Sequence, residues 1–428
     1  MMINKKRYYR IKFVLKSAMN IGCGENTYSD RDVIKNSLGK PYIPGSSLSG
    51  IYRSIISAVD NNMAKYYFGD VSINKKTNNN NLPAAVESSI KVYDANVLDD
   101  VRISKRDCVG LDEYKTAKDG AKFDFEVVEP GTVFVTYIEQ DYTEICNEDV
   151  CEKILADWAM NGLNVGSKTM RGLGKTEIVS IDYAQFDMTK QVKEWIDFDM
   201  YSDKCWSEYH INTTSDISND TNKIVLSLKQ KGGISIRKYT TEVNKPDDVK
   251  PDYSQLTVVI EGEEKPVIPG TSWAGTFKHQ MEKNNAFVMC QKNKTGDTLF
   301  GSTSQKSKVL FSESIVENAK SRIMTRTAIN RFTAGAAGGA LYTEKYYYGG
   351  TTELVITYPT NRDAIENKAV VSAIFDLHFG FMALGGLTAV GRGMFEITEA
   401  IVNGKKVSIP DMNEDCNVAY NEWLEELK

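Results

Sequence analysis

"KPYIPGSSLSGIYRS" (residues 40–54) returns 225 residues later as "KPVIPGTSWAGTFKH" (265–279). In both, proline and glycine end an extended stretch. Ser46-Ser47 or Thr271-Ser272 then offers a hydroxyl able to cap a following helix. Reading outward, "GSKTMRGLGKTEI" (166–178) aligns without a gap on "GGLTAVGRGMFEI" (385–397), at an offset of 219. Between these pairs "RISKR" (102–106) faces "RIMTR" (322–326), at an offset of 220, and "YFG" (67–69) faces "LFG" (299–301). Echoes in one order at a nearly constant offset mark an internal duplication. The repeats run from about residue 7 to 182 and from about 222 to 402. This gives a first domain over 1–182, a polar, acidic connector over 183–221, and a second domain over 222–428 with a C-terminal tail that reads as helical.

Each half carries the same succession of patterns. An alternating strand opens it ("RYYRIKFVLKSAMNI"; "NKIVLSLKQKGGISI"), and the Ile-Pro-Gly helix follows. Then come a strand, a charged or glycine-rich excursion, a strand, a helix, the glycine loop and a last strand. The helix in the first half is "EDVCEKILADWAMNGL" (148–163), with Val150, Ile154, Leu155 and Trp158 at helical spacing. Strand-helix-strand-strand-helix-strand is the ferredoxin-like (RRM-like) order, so the expected class is α+β with two tandem domains. Many functions share that order, and it names none of them.

The glycine loop ends in Gly174-Lys175-Thr176, which at first sight resembles a nucleotide-triphosphate loop. That motif requires glycine at position 169, where threonine stands. It also runs from strand into helix, presenting a helix N-terminus to phosphate, whereas this loop leaves a helix and enters a strand. The motif is excluded.

Composition narrows the field further. The 428 residues are 41% hydrophobic and 25% charged, as in an ordinary folded protein with room for more than one core. No apolar run approaches a membrane span and the N-terminus lacks a cleavable leader pattern, so a cytoplasmic protein is expected. Seven scattered cysteines form no C-x-x-C pair, which fits reduced thiols and argues against a structural zinc site. A net charge of −5 argues against nonspecific coating of nucleic acid but leaves room for a local basic groove. With three histidines, chemistry built on a histidine base is thinly supplied.

The recurring segments offer surfaces for phosphate. At the Ile-Pro-Gly helices, Ser46, Ser47 and Arg53, or Thr271, Ser272 and Lys278, combine hydroxyls, a helix N-terminus and a cation. In the glycine loops, Gly172, Gly174, Gly391 and Gly393 allow close backbone approach, and Lys168, Arg171, Lys175 and Arg392 supply charge. The same features also suit ordinary turns and caps. The excursion "RIMTRTAINRFTAGAAGGALYT" (322–343) contains Arg322, Arg326 and Arg331 and no acid, a composition suited to an anionic strand. Its counterpart at 102–123 is mixed in charge and includes Arg102 and Arg106.

Together the Ile-Pro-Gly helix starts, the excursion "RTAINRFTAGAAGGALYTEK" and the loop "MRGLGKTEI" resemble the RAMP superfamily, and within it the backbone subunits of type III CRISPR complexes of the Csm and Cmr kinds. The resemblance covers nearly the whole chain, twice. It implies two ferredoxin-like RAMP domains, each with a thumb-like hairpin insertion. It implies as partners a CRISPR guide RNA, a target RNA and other type III subunits: a large polymerase/nuclease-type subunit, small subunits and other RAMP proteins. In such subunits an aspartate in the loop before the Ile-Pro-Gly helix cuts target RNA with a divalent ion, Mg or Mn. The family pattern falls on Asp30 as the catalytic and metal-holding residue, with Asp32 as its neighbouring rival. In the second half the aligned position falls near Leu256, with Asp247, Asp248 and Asp252 upstream only if a gap is allowed, so that half is expected to bind RNA without cutting it. Three other readings stay open: a double backbone subunit that binds without cleaving, an endonuclease that matures CRISPR transcripts, and a scaffold that binds only protein.

Overall fold

A computed structural model describes the chain except residues 1, 23–30, 71–86, 112–116, 212–219, 239–250, 261, 285–298, 302–304, 361–363, 412–415 and 428. It is a mixed α+β protein that divides into two compact units. One contains residues 1–105, 124–167 and 174–219, and the other 106–123, 168–173 and 220–428. The outer part of the first excursion and the tip of the first glycine loop thus belong to the second unit.

The first unit is built on an antiparallel sheet. Its long strands stand in the order Lys175–Asp187, Lys5–Leu15, Val133–Tyr142, and short strands at 95–97 and 42–43 extend that edge. The alternation read in "RYYRIKFVL" sends Tyr9, Ile11, Phe13 and Leu15 to one face, where they are buried. Over that face lie the helices Gly45–Val59 and Val150–Asn161. The first buries Leu48, Tyr52 and Ile56, four residues apart, and the second buries the four residues expected, Val150, Ile154, Leu155 and Trp158. Phe13 stacks on Phe134 with ring centroids 5.6 Å apart, and Trp158 packs 5.0 Å from Phe13. The Trp158 indole N–H is satisfied by the Thr176 hydroxyl at 3.0 Å.

The opposite face of this sheet is not open. Residues 188–206 of the expected connector fold onto it, with Trp195, Phe198, Met200 and Trp206 gathered around Tyr8, Ala184 and Phe186. Ser207–Glu208 then pairs with Lys175–Asp187. Burial of this apolar area, worth about 25 cal/mol per Å², holds the polar, acidic connector on the sheet.

The second unit repeats the plan. Its antiparallel sheet runs 310–311, Thr351–Pro359, Thr221–Lys231, Met394–Val402, 405–406. The helix Gly270–Lys283 buries Trp273, Phe277 and Met281, positions matching Leu48, Tyr52 and Ile56. Ala364–Phe379 lies beside it. The tail is helical, as expected, over Cys416–Glu426, with Trp423 buried 5.5 Å from the Phe375 ring. Even an irregularity repeats: the register slips opposite Val179 in the first sheet and opposite Thr398 in the second. A separate long hairpin, Lys320–Ile329 with Ala336–Tyr348, is the expected arginine-bearing excursion.

Candidate nucleic-acid interface

The two glycine loops are closed by the same backbone bonds. Val165 N–H donates to Gly174 C=O at 2.8 Å, and Leu384 N–H to Gly393 C=O at 2.9 Å. Gly174 N–H reaches Ala18 C=O and Gly393 N–H reaches Gly233 C=O, both at 2.8 Å, which ties each loop to the end of its half's opening strand. A methyl group on Gly174 or Gly393 would overlap the Val165 or Leu384 carbonyl. Their lack of a side chain serves this closure and not the approach of a ligand.

Gly172 and Gly391 have different surroundings. A methyl on Gly172 would overlap the backbone of Phe311–Glu313, whereas one on Gly391 would meet nothing within 4 Å. Within the second unit the loop 168–173 therefore abuts the start of the helix Gly270–Lys283, where a methyl on Gly270 would overlap the Arg171 carbonyl. This gathers several of the expected residues: Lys168, Arg171, Thr271 and Ser272 share one region, with Arg171 and Thr271 exposed. Lys168 lies 5.4 Å from the centre of the Phe123 ring. Burial pushes the Cys108 thiol up, and the nearby charges of Lys168, Arg106 and Arg171 offset part of that shift.

Two of the expected phosphate ligands are buried in ion pairs. Arg106 is 5% exposed and grips Glu313 through both guanidinium arms. Arg392 is 3% exposed, pairs with the buried Glu344 and covers the Tyr346 ring 3.5 Å from its centre. Each arginine is positioned to hold the protein together, not to meet a phosphate. Arg326 contributes to the second cluster, 3.6 Å from Glu344. Arg53 donates to the Gly69 carbonyl at 2.9 Å and so ties down the end of the helix Asn61–Phe68.

The hydroxyl caps expected at the Ile-Pro-Gly helices do not form. Pro44 and Pro269 occupy the cap positions, and a proline side chain has no acceptor to offer; their carbonyls accept from Ser47 N–H and Ser272 N–H at 2.9 Å. In the first unit the Gly45 N–H is taken by the Asp94 carboxylate at 2.7 Å, a negative charge where a phosphate was expected. Ser46 is exposed and Ser47 half-buried, while Lys278 and Lys175 are half-buried on their elements.

The hairpin 320–348 leaves Arg322 and Arg331 exposed, as does Arg102 at the foot of the first excursion. At its tip stands Phe332, 95% exposed, a residue that sequence reasoning passed over. The available signal was a lone aromatic inside a run of small residues, with no apolar periodicity to bury it. The tip is preorganised: the Asn330 side chain accepts from Phe332 N–H at 2.9 Å, and Asn330 N–H donates to Gly335 C=O at 2.8 Å. Midway along the hairpin Asp252 accepts the Thr343 N–H at 2.6 Å, and in the chain beside it Leu256 N–H donates to Ile236 C=O at 2.7 Å.

Asp30, Asp247 and Asp248 lie outside the described residues. Asp32 is 7% exposed, in a segment held by Glu126, whose carboxylate accepts from Val33 N–H at 3.1 Å and contacts Lys35 at 3.2 Å. Among the described residues no three His, Cys, Asp or Glu side chains gather closely enough to hold a metal ion. Those residues alone do not make a metal site. No helix among them is long and apolar enough to cross a membrane.

A family model described as the RAMP superfamily matches residues 12–177 and 208–396. No curated protein matches the chain. Among solved structures, a chain of "Cryo-EM structure of the Type III-B Cmr-beta bound to cognate target RNA" is similar at 17% identity and a TM-score of 0.32. That match covers 42% of this chain and 61% of the other, and a likeness so loose carries no functional weight.

Proposed function

The chain belongs to the RAMP superfamily, and on that premise we propose that it is a guide-RNA-binding backbone subunit of a type III CRISPR effector ribonucleoprotein. Its two halves, 1–182 and 222–428 about a connector at 183–221, are tandem ferredoxin-like domains with thumb-like hairpins. In support, each central sheet places the half's last strand, first strand and third strand side by side and antiparallel. Its partners are the guide RNA, a target RNA and the other type III subunits, in the cytoplasm.

The observation that carries the reading is the hairpin 320–348, with Arg322 and Arg331 exposed and Phe332 bare at the tip. Cations that track phosphates, next to an aromatic face on which any base stacks, make a sequence-tolerant nucleic-acid surface. The exposed Arg171 beside the start of the helix Gly270–Lys283 supplies a second phosphate contact. RNA follows these edges and not the first sheet's outer face, which residues 188–206 partly cover.

Target cleavage is assigned to the first half through Asp30, whose carboxylate orients an attacking 2′-hydroxyl, and the second half binds without cutting. The test is an end-labelled target RNA incubated with the assembled complex and magnesium or manganese. Asp30→Ala should abolish one cut and leave target binding unchanged, whereas Asp252→Ala should leave the pattern of cuts intact. An unchanged pattern in both Asp30→Ala and Asp32→Ala would make this a binding-only subunit. A preparation from which no RNA copurifies, and which binds none when RNA is added, would overturn the RNA reading as a whole.

A further inference from the structure

We infer that the outer edge of the hairpin, the strand Lys320–Ile329, takes up an extended segment of another protein in which acidic and apolar residues alternate. The inference goes beyond the RNA reading and does not depend on it.

The two edges of the hairpin are used differently. On its far side Ala336–Tyr348 is covered by the chain's own strands, Gly233–Ile234 antiparallel near its end and Tyr253–Gln255 parallel along its middle. There the Asp252 carboxylate accepts the Thr343 N–H at 2.6 Å. Lys320–Ile329 pairs, among the described residues, with Ala336–Tyr348 alone.

The Asp252 bond fixes the direction of the free backbone groups. Thr343 lies opposite Thr325, and its N–H turns away from the hairpin toward Asp252. In an antiparallel pair, opposite residues exchange both backbone bonds or neither. The Thr325 N–H and C=O therefore point outward from the hairpin, and by alternation so do those of Ile323 and Thr327. The Thr325 and Thr343 hydroxyls, 2.9 Å apart, fit a pair of this closely spaced kind. A row of outward donors and acceptors is a template for one more strand.

Side chains define the occupant. One face of Lys320–Ile329 carries Ile323, Thr325, Thr327 and Ile329, with Leu341 opposite Thr327. Ile323 is 63% exposed, and Ile329 and Leu341 are each 69% exposed. The other face carries the exposed Lys320 and Arg322, and no acid occurs from residue 318 to 343. A strand added at this edge sends successive side chains to alternate faces. Apolar residues then meet Ile323 and Ile329, and acids meet Lys320 and Arg322, as cross-strand neighbours. On the covered edge a carboxylate already serves the hairpin's backbone. RNA has no run of amides to pair with the edge, and a second copy of this strand would bring more cations and no acid to it.

The test is fluorescence anisotropy of the full chain, freed of RNA, with a labelled peptide of about eight residues in which glutamate and valine alternate. A control peptide of the same composition holds its glutamates and valines in separate blocks. The alternating peptide should bind about tenfold more tightly or better. Thr325→Pro deletes an outward donor, which an edge strand tolerates, and should abolish that preference without lowering the unfolding temperature. Met324→Pro deletes a bond inside the hairpin and should lower it. Ile323→Lys changes only an exposed side chain. It adds positive charge, so plain attraction would strengthen, whereas strand pairing should weaken about two- to fivefold. Equal binding of the two peptides, no binding of either, or wild-type peptide binding by Thr325→Pro or Ile323→Lys would overturn the inference. Self-association of the wild type in sedimentation that Thr325→Pro removes would give the edge to a second copy and overturn the named partner. Loss of short-RNA binding in Thr325→Pro would give the edge to RNA, with the same consequence. Short-RNA binding by the wild type reports separately on the RNA reading.

Discussion

Arg392 provides the sharpest test of how the glycine loop is used, because its sequence context and its position point to different roles. Its side chain is 4% exposed and that of Glu344 2% exposed, and the two form a direct ion pair over the Tyr346 ring. Removing one member of a buried pair strands the other charge in a poor solvent, at a cost of about 3–5 kcal/mol. Arg326, 3.6 Å from the same Glu344 oxygen, would still compensate part of that charge, so Arg392→Ala should fall near the lower end, about 3 kcal/mol. For a domain of about 150–250 residues, that loss lowers the unfolding midpoint by roughly 6–12 °C. The double variant Arg392→Met with Glu344→Leu removes both charges and should unfold near the wild-type temperature or above it. The assay is thermal unfolding of all three proteins, paired with RNA affinity over a salt series. A buried arginine contacts no phosphate, so the dependence of log affinity on log salt should keep its slope in Arg392→Ala. An unchanged unfolding temperature, together with a slope shallower by about 0.7 as for one lost phosphate contact on a single strand, would refute this reasoning. Arg392 would then be a surface ligand after all.

The exposed Arg171 should behave in the opposite way: Arg171→Ala should leave unfolding unchanged and weaken binding of unrelated RNA sequences equally, as measured by filter binding at low salt. Gly391→Ala meets open space and should lose only the backbone strain, about 1–2 kcal/mol, whereas Gly393→Ala drives a methyl into the Leu384 carbonyl and should yield little soluble protein. His378 accepts the Ile397 N–H at 3.1 Å, and burial holds its imidazole below its ordinary value of 6.5. The unfolded chain therefore takes up a proton that the folded chain resists. Stability from this group is complete above about pH 6.5 and falls as pH drops below it, a loss that urea unfolding should find smaller in His378→Gln.

The parts of the fold legible in the sequence are those imposed by local backbone constraints. The Ile-Pro-Gly turns, the paired glycines and the four-residue spacing of Leu48, Tyr52 and Ile56 survive in both halves, because each acts within one turn or one strand. Partners far apart in the chain were not legible. "RISKR" and "VGRGM" show charge, but nothing near Arg106 reveals Glu313, 207 residues away, and nothing near Arg392 reveals Glu344, 48 away. Read alone, a basic residue in a glycine-rich loop looks like a ligand for phosphate. The packing of the connector was illegible for the same reason, since Trp195, Phe198 and Trp206 gain meaning only when Tyr8 and Phe186 are seen opposite them.

The duplication supplies what a single domain could not: the same loop in two environments within one molecule. A methyl on Gly172 would overlap the backbone of 311–313 and one on Gly391 would meet open space, yet the left-handed residues of the two loops differ by about a degree in φ. Packing therefore does not create the loop's conformation; its own hydrogen bonds do. It follows that the glycines at 174 and 393 maintain the loop, and that the residues at 171 and 390, which project from it, are free to differ in function. One is an exposed arginine next to a helix start, and the other a valine that is 58% exposed. A charge beside a helix N-terminus suits phosphate, so of the two loops from which the sequence led us to expect a phosphate contact, only the first carries a cation at this position.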